Sequence, residues 1–174
     1  MLVFLLGSRY CDTDKMATLA WSLFAKVEPG WERVRAILEY SHKRIKFNYQ
    51  DARSDRSAFE GHNEQVGVCR DYSHLAITLC RCMNIPARYC TGYLGDIGVP
   101  ADPSPMDFSA WFEVFLDGKW HTVDARHNKP RIGRILMARG RDATDAAIST
   151  AFGSAKLLKF DIVTYEMKPS PASA

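Results

Sequence analysis

Little of this chain's charge is left over: 23 basic residues meet 20 acidic ones, a net +3 over 174 residues, with neither sign gathered into a run. The electrostatic footprint of a nucleic-acid or membrane-surface binder is therefore missing. No apolar run reaches membrane length. The opening Met1–Leu6 segment is apolar but far too short, and no basic residue precedes it as a secretion signal requires. It reads as a strand or an edge left by a domain cut, which implies a longer parent protein. Paired cysteine spacing is lacking too. Cys11, Cys69, Cys80, Cys82 and Cys90 are odd in number and irregular, which argues against a disulfide framework and for a reducing compartment, so a cytoplasmic location is expected. The Cys80–Cys82 pair lacks the second pair or spaced histidines of a four-ligand zinc site. No metal, nucleotide or flavin is called for, and neither an internal repeat nor a linker is found. With 47% hydrophobic residues a chain of this length can bury a core without staples. One domain over 1–168 is expected, followed by a tail, 169–174, disordered by composition.

What is present begins with Asp12, Thr13 and Asp14, which supply capping side chains ahead of Met16, Leu19, Ala20, Leu23 and Phe24 at helical spacing. A second helix opens at Trp31 with Val34, Ile37, Leu38 and Ile45 inward, and Phe47–Tyr49 reads as extended. The polar run Gln50–Gln65 has little periodicity and reads as a long surface loop. Loops of that length in a compact domain are often functional, and this one leads directly into a cysteine.

That cysteine is the feature on which the rest turns. From Asp71 to Met83, Tyr72, Leu75, Ala76 and Leu79 recur at three- and four-residue steps, predicting a helix with one buried face. Cys69 then falls at its first turn, where unpaired N–H groups and the positive end of the helix dipole favour an anion and so a thiolate. Gly67 leaves room for close approach to the sulfur.

Beyond Asn84–Pro86, which ends the helix, Ala87–Leu94 reads as a tyrosine-rich strand and Asp96–Asp107 as a second long loop. Phe108–Leu116 and Lys119–Asp124 flank Asp117–Gly118, a strong two-residue hairpin signal. Ala125–Arg131 reads as a polar turn, Ile132–Ala138 as a strand, Asp142–Phe152 as containing a short helix, and Leu157–Met167 as a closing strand. Helices followed by consecutive strands predict an α+β fold with an antiparallel sheet.

The order Gly67-x-Cys69-Arg70-Asp71-Tyr72, Ile85-Pro86-Ala87-Arg88-Tyr89, Gly92-Tyr93, Ala110-Trp111-Phe112-Glu113-Val114 and Trp120 through Asp124-Ala125 resembles the transglutaminase-like superfamily of papain-like cysteine enzymes, bacterial type. The resemblance runs from about residue 8 to 165. It implies a nucleophile helix packed on an antiparallel sheet, a Cys-His-Asp triad, and acyl transfer on amides through a thioester. The substrate is then a peptide or protein amide, and no cofactor is needed. Cys69 and Asp124 match the triad. The residue before Ala110-Trp111, where the family carries the base, is Ser109. A hydroxyl is no general base near neutral pH, so the enzyme is expected to be weakened or inactive as it stands. The alternative is a non-catalytic peptide- or protein-binding module.

Three origins of Ser109 stay open: an introduced inactivating change, a natural loss, or a tolerated change with residual thiolate chemistry. Retention of Cys69 and Asp124 favours an altered enzyme over long decay. Among substitutes for the base, His121 and His127 each lie three positions from Asp124 and would point to the opposite face of a continuous strand. His74 is rotated away along the helix, and only His62, in the loop, is free to reach the sulfur. Gln65 or Asn48 is a candidate oxyanion donor. Trp111 is expected to pack on the sheet or to wall the acyl site, Arg88 to pair in a salt bridge, and Asp71 to cap the helix at the surface.

Overall fold

The computed structural model describes residues 1–100, 108–150, 152–156 and 158–167. Helix α1 (Thr13–Phe24) buries Met16, Ala20 and Phe24, the four-residue stripe that its sequence predicts. Its N-cap, Asp12, makes no side-chain cap bond. The Asp12 carboxylate instead accepts from the Ser57 hydroxyl at 2.9 Å and the Phe59 N–H at 3.1 Å. Helix α2 (Trp31–Arg44) turns Val34 and Ile37 inward. It leads into β1 (Lys46–Phe47), which pairs in parallel with β2 (Val66–Gly67) and closes the intervening segment into a loop.

That segment is not the unstructured loop expected. A 3₁₀ turn occupies Tyr49–Asp51, and α3 spans Ala58–Glu64. Helix α3 begins with a capping box: the Ser57 hydroxyl accepts from the Glu60 N–H while the Glu60 carboxylate accepts from the Ser57 N–H. Two turns are too short to show periodicity, although the Ser-x-x-Glu signature is present in the sequence.

Helix α4 (Cys69–Cys82) is the centre of the molecule. One buried face is expected, yet every residue from Asp71 to Arg81 is buried, because α1, α2 and α3 cover it on one side and the sheet covers it on the other. Its polar residues must therefore find partners inside the protein. Thr78 back-bonds to the His74 carbonyl, and Arg81 donates to the carbonyls of Ala87, Leu6 and Arg141.

Strands β3 (Ala87–Leu94), β4 (Phe108–Leu116), β5 (Lys119–Val123) and β6 (Arg134–Gly140) form one antiparallel sheet in the order β5-β4-β3-β6. Asp117 and Gly118 join β4 to β5 with φ of 50° and 77°, the left-handed pair that a two-residue hairpin requires. Gly92 sits at a bulge between β3 and β6, where a Cβ would lie 2.0 Å from the Ile135 carbonyl oxygen, so no other residue fits unless the backbone moves. Tyr89, Phe112 and Val114 face α4, and together with Met16, Ile37, Leu75 and Leu79 they make the core.

Three expectations fail at the ends of the chain. Leu2–Phe4 is a 3₁₀ turn and not a strand. Residues 142–150 make turns without a helix; the Ala143 N–H goes to His74 Nε2 and the Thr144 N–H to the Asp142 carboxylate, a capped turn that no further helical turn follows. Among the described residues, 158–167 form no strand. The expected loop is described only as far as residue 100, and the tail 169–174 lies outside the described residues.

Candidate active site

Cys69 is the first residue of α4, and its surroundings are built to hold that helix start rigid. Asp71, two residues on, is buried rather than at the surface, and its carboxylate accepts from the Val68 N–H at 2.9 Å and from Arg56 at 3.1 Å. Arg56 also pairs with Glu64 at 2.9 Å and donates to the Asp51 carbonyl, tying the β1–β2 segment to the helix. Gly67 serves this clamp rather than a substrate, since a Cβ there would lie 2.5 Å from Asp71 Oδ2.

The Cys69 sulfur approaches the Phe108 carbonyl at 4.0 Å and opens on a cavity of about 360 Å³. Tyr89, Phe108 and Ser109 line one wall from the sheet, and Ala146 and Ile148 line another. Ser109 is buried with its hydroxyl lacking any hydrogen-bond partner. Arg70 also lines the cavity, but its guanidinium is held by the carbonyls of Arg53 and Ser54.

Asp124 follows β5 directly. One step past the Phe112–Val123 pair, it falls level with Trp111, two residues from Ser109. Its Oδ1 accepts from the His127 N–H at 3.0 Å; its Oδ2 accepts from Arg134 Nη2 at 2.6 Å and lies 2.9 Å from His127 Nδ1. Burial alone would push this carboxyl up. The His127 hydrogen bonds and the His127 and Arg134 charges outweigh that and hold it well below the usual carboxylate range. Arg134 lies 4.9 Å from the Trp111 ring centre, so Trp111 is packed beneath a guanidinium and does not wall the sulfur's cavity. The sulfur and Ser109 thus share one cavity, whereas Asp124 lines a different one.

A sequence model of the transglutaminase-like superfamily matches residues 17–125, from α1 to the residue after Asp124. The chain belongs to the transglutaminase-like superfamily. Its helices and antiparallel sheet are the papain-like arrangement of that superfamily. A candidate cysteine protease from Cytophaga hutchinsonii superposes at TM-score 0.80 with 40% identity, over 88% of this chain and 51% of that one. The periplasmic domain of TgpA from Pseudomonas aeruginosa shares the fold at TM-score 0.56 and 20% identity, over 72% of this chain and 48% of that one. Mouse kyphoscoliosis peptidase is 30% identical over 113 residues, 62% of this chain and 17% of that protein. An uncharacterized Mycobacterium leprae protein is 32% identical over 83 residues, 47% of this chain and 30% of its own length. This transglutaminase-like chain therefore spans less than a third of the curated relatives it matches.

Several site expectations need correcting. Asn48 spends its amide inside the 3₁₀ turn, donating to Asp51 at 2.7 Å and accepting from the Gln50 N–H, while Gln65 is the left-handed end of α3; neither lines the Cys69 cavity. His127 does not point away from Asp124, because the strand stops at Val123 and the chain turns the imidazole back onto the carboxylate. His62 is on α3, stacked on Tyr40 with Nε2 2.8 Å from its hydroxyl. No histidine lines the cavity among the described residues. Arg88 does pair as expected, 2.6 Å from Glu113. Arg134 and Arg56 were invisible in the sequence: each reaches across elements, and no local pattern marks such a contact.

Proposed function

We propose that this domain is built for cysteine-dependent acyl transfer on peptide or protein amides, with Cys69 as nucleophile, and that its turnover is impaired because Ser109 stands where the family carries its base. The observation behind this reading is the shared cavity: a sulfur at a helix start faces a β4 position whose small side chain leaves a buried hydroxyl unpartnered. The Cys69 thiolate attacks the amide carbon, and the oxyanion so formed meets the first N–H groups of α4. Collapse breaks the C–N bond and expels the amine, which must take up a proton. Water or a second amine then attacks the thioester, gives up a proton, and releases a carboxylic acid or a new amide together with the thiolate. Both proton movements need a base that Ser109 cannot supply, a deficit of about 10²–10⁴ in rate. The names of the Cytophaga and mouse relatives favour hydrolysis of peptide amides.

One observation favours a second reading, a binding module that does no chemistry: the Asp124 carboxylate is fully engaged by His127 and Arg134. Ser109→His separates the two. Incubation with a glutamine-containing acyl-donor peptide, followed by intact-mass measurement and ammonia release, should show a thioester adduct and turnover at least about 10²-fold above the parent. Both signals should vanish when Cys69→Ala is added. A variant that keeps its circular dichroism yet neither labels nor turns over would give the module reading its place.

A further inference from the structure

The cavity on the Asp124 side has no part in the chemistry above. Its volume is about 580 Å³, within the range of small-molecule sites, and α2 and the segment between β5 and β6 line it. Four of its lining residues are cationic (Arg35, Lys129, Arg131 and Arg134), and its one lining carboxylate, Asp124, is already taken by Arg134 and His127. Acidic neighbours reach two more of these cations from outside: Glu32 pairs with Arg35 at the surface, and Asp96 pairs with Arg131 at 3.1 Å.

The pairing is incomplete where it is most deeply buried. The Arg131 side chain is 7% exposed and spends Nη2 on the Gly95 carbonyl and Asp96, while its Nε–H is buried with no partner. Arg134, 13% exposed, spends Nη2 on Asp124, and its Nη1 is likewise buried with no partner. Each of these two guanidinium groups is thus incompletely answered by its neighbours, and a cavity lined by both, with cations in excess, suits an acceptor that brings negative charge. Trp31, Leu38 and Pro130 complete the wall with apolar surface suited to an organic body.

We propose that this cavity binds a small organic oxyanion, a carboxylate or a phosphate ester, whose oxygens meet the cationic side chains of Arg35, Lys129 and Arg131 that line it while its body rests on Trp31 and Leu38. The site does not depend on whether Cys69 is a nucleophile.

Isothermal titration of this chain with inorganic phosphate and with benzoate, against sodium chloride of equal ionic strength, tests it. The expected result is saturable one-to-one binding of at least one probe, weakened tenfold or more by Arg131→Gln and also by the exposed change Arg35→Gln, which does not threaten the fold. Binding of phosphate alone assigns a phosphate ester; binding of benzoate, alone or with phosphate, assigns a carboxylate. Heats no larger than those of chloride for both probes, or a folded Arg131→Gln that binds as the parent does, would overturn the proposal.

Discussion

Cys69 differs from the other four cysteines in what surrounds its sulfur. Burial pushes the thiols of Cys11 and Cys82 up to about 11 and those of Cys80 and Cys90 up as well, whereas Cys69 opens on a cavity. Since the thiolate is the reactive species, a thiol at about 11 offers roughly 10⁻³ of its population at pH 8. Iodoacetamide at that pH should therefore add one carbamidomethyl group quickly and the others slowly, and Cys69→Ser should remove the fast addition from the mass spectrum. A fast phase that survives the substitution would show that the cavity does not expose this sulfur. At this scale the sequence was readable wherever a side chain's environment is set by its neighbours along the chain. The helix start points to Cys69, whereas Ser109 and Asp124 were singled out by the resemblance to the transglutaminase-like superfamily and not by their neighbours. The sequence was unreadable where the environment comes from afar: Arg134 reaches Asp124 from another strand, and the turn that swings His127 back follows from where β5 stops.

Among the elements, α4 owes its fixed start to a clamp whose parts are short-range in space and spread through the sequence. Asp71 accepts from the Val68 N–H and Arg56, and Gly67 is the space that Asp71 occupies. A methyl group at position 67 must displace the carboxylate, breaking the backbone bond and parting the buried Asp71 charge from the Arg56 guanidinium, which keeps Glu64 as its remaining partner. Loss of one partner of a buried pair costs about 3–5 kcal/mol, so Gly67→Ala should lower urea stability by about that amount. In an Asp71→Gly background, which removes both the carboxylate and the Cβ that would lie 2.7 Å from the new methyl, the same change should cost under about 1 kcal/mol. Equal costs in both backgrounds would mean that Gly67 is kept for another reason. The helices α1, α2 and α4 were legible because each repeats its apolar period, β3 and β4 because they are apolar, aromatic-rich runs bounded by turn signals, and the β4–β5 turn from two residues alone. Short elements were not: α3 has two turns, β1 and β2 two residues each, and only pairing across the fold defines them.

For the molecule as a whole, burying α4 on every side puts a titratable group at its middle. His74 lies between the rings of Tyr10 and Tyr89, and its Nε2 accepts the Ala143 N–H, joining the helix to the segment that walls the Cys69 cavity. Accepting at Nε2 puts the proton on Nδ1, which is buried without a partner. Burial first, then the Arg70 charge, lowers this imidazole from 6.5 to about 3, against the opposing pull of Asp142. The folded state thus refuses a proton that the unfolded chain takes up below about pH 6.5. The unfolded state binds more protons across that window, so stability is fully present above it and is lost as pH falls from about 6.5 toward 3, by at most about 1.4 kcal/mol per pH unit. The window from pH 6.5 to 5 isolates this effect, since the carboxyls of Asp124, Asp145 and Glu113 are all lowered and stay ionised there, and His62, also lowered mainly by burial, adds the same sign in parent and variant alike. Urea midpoints measured at half-unit steps should fall with acid in the parent and fall distinctly less in His74→Gln. That variant starts about 1–3 kcal/mol lower at pH 7.5 for want of the stacked ring and its matched acceptor. Parallel lines for the two proteins across the window would show that His74 is protonated as easily inside the protein as out, and that the helix is wetter at its centre than its packing implies.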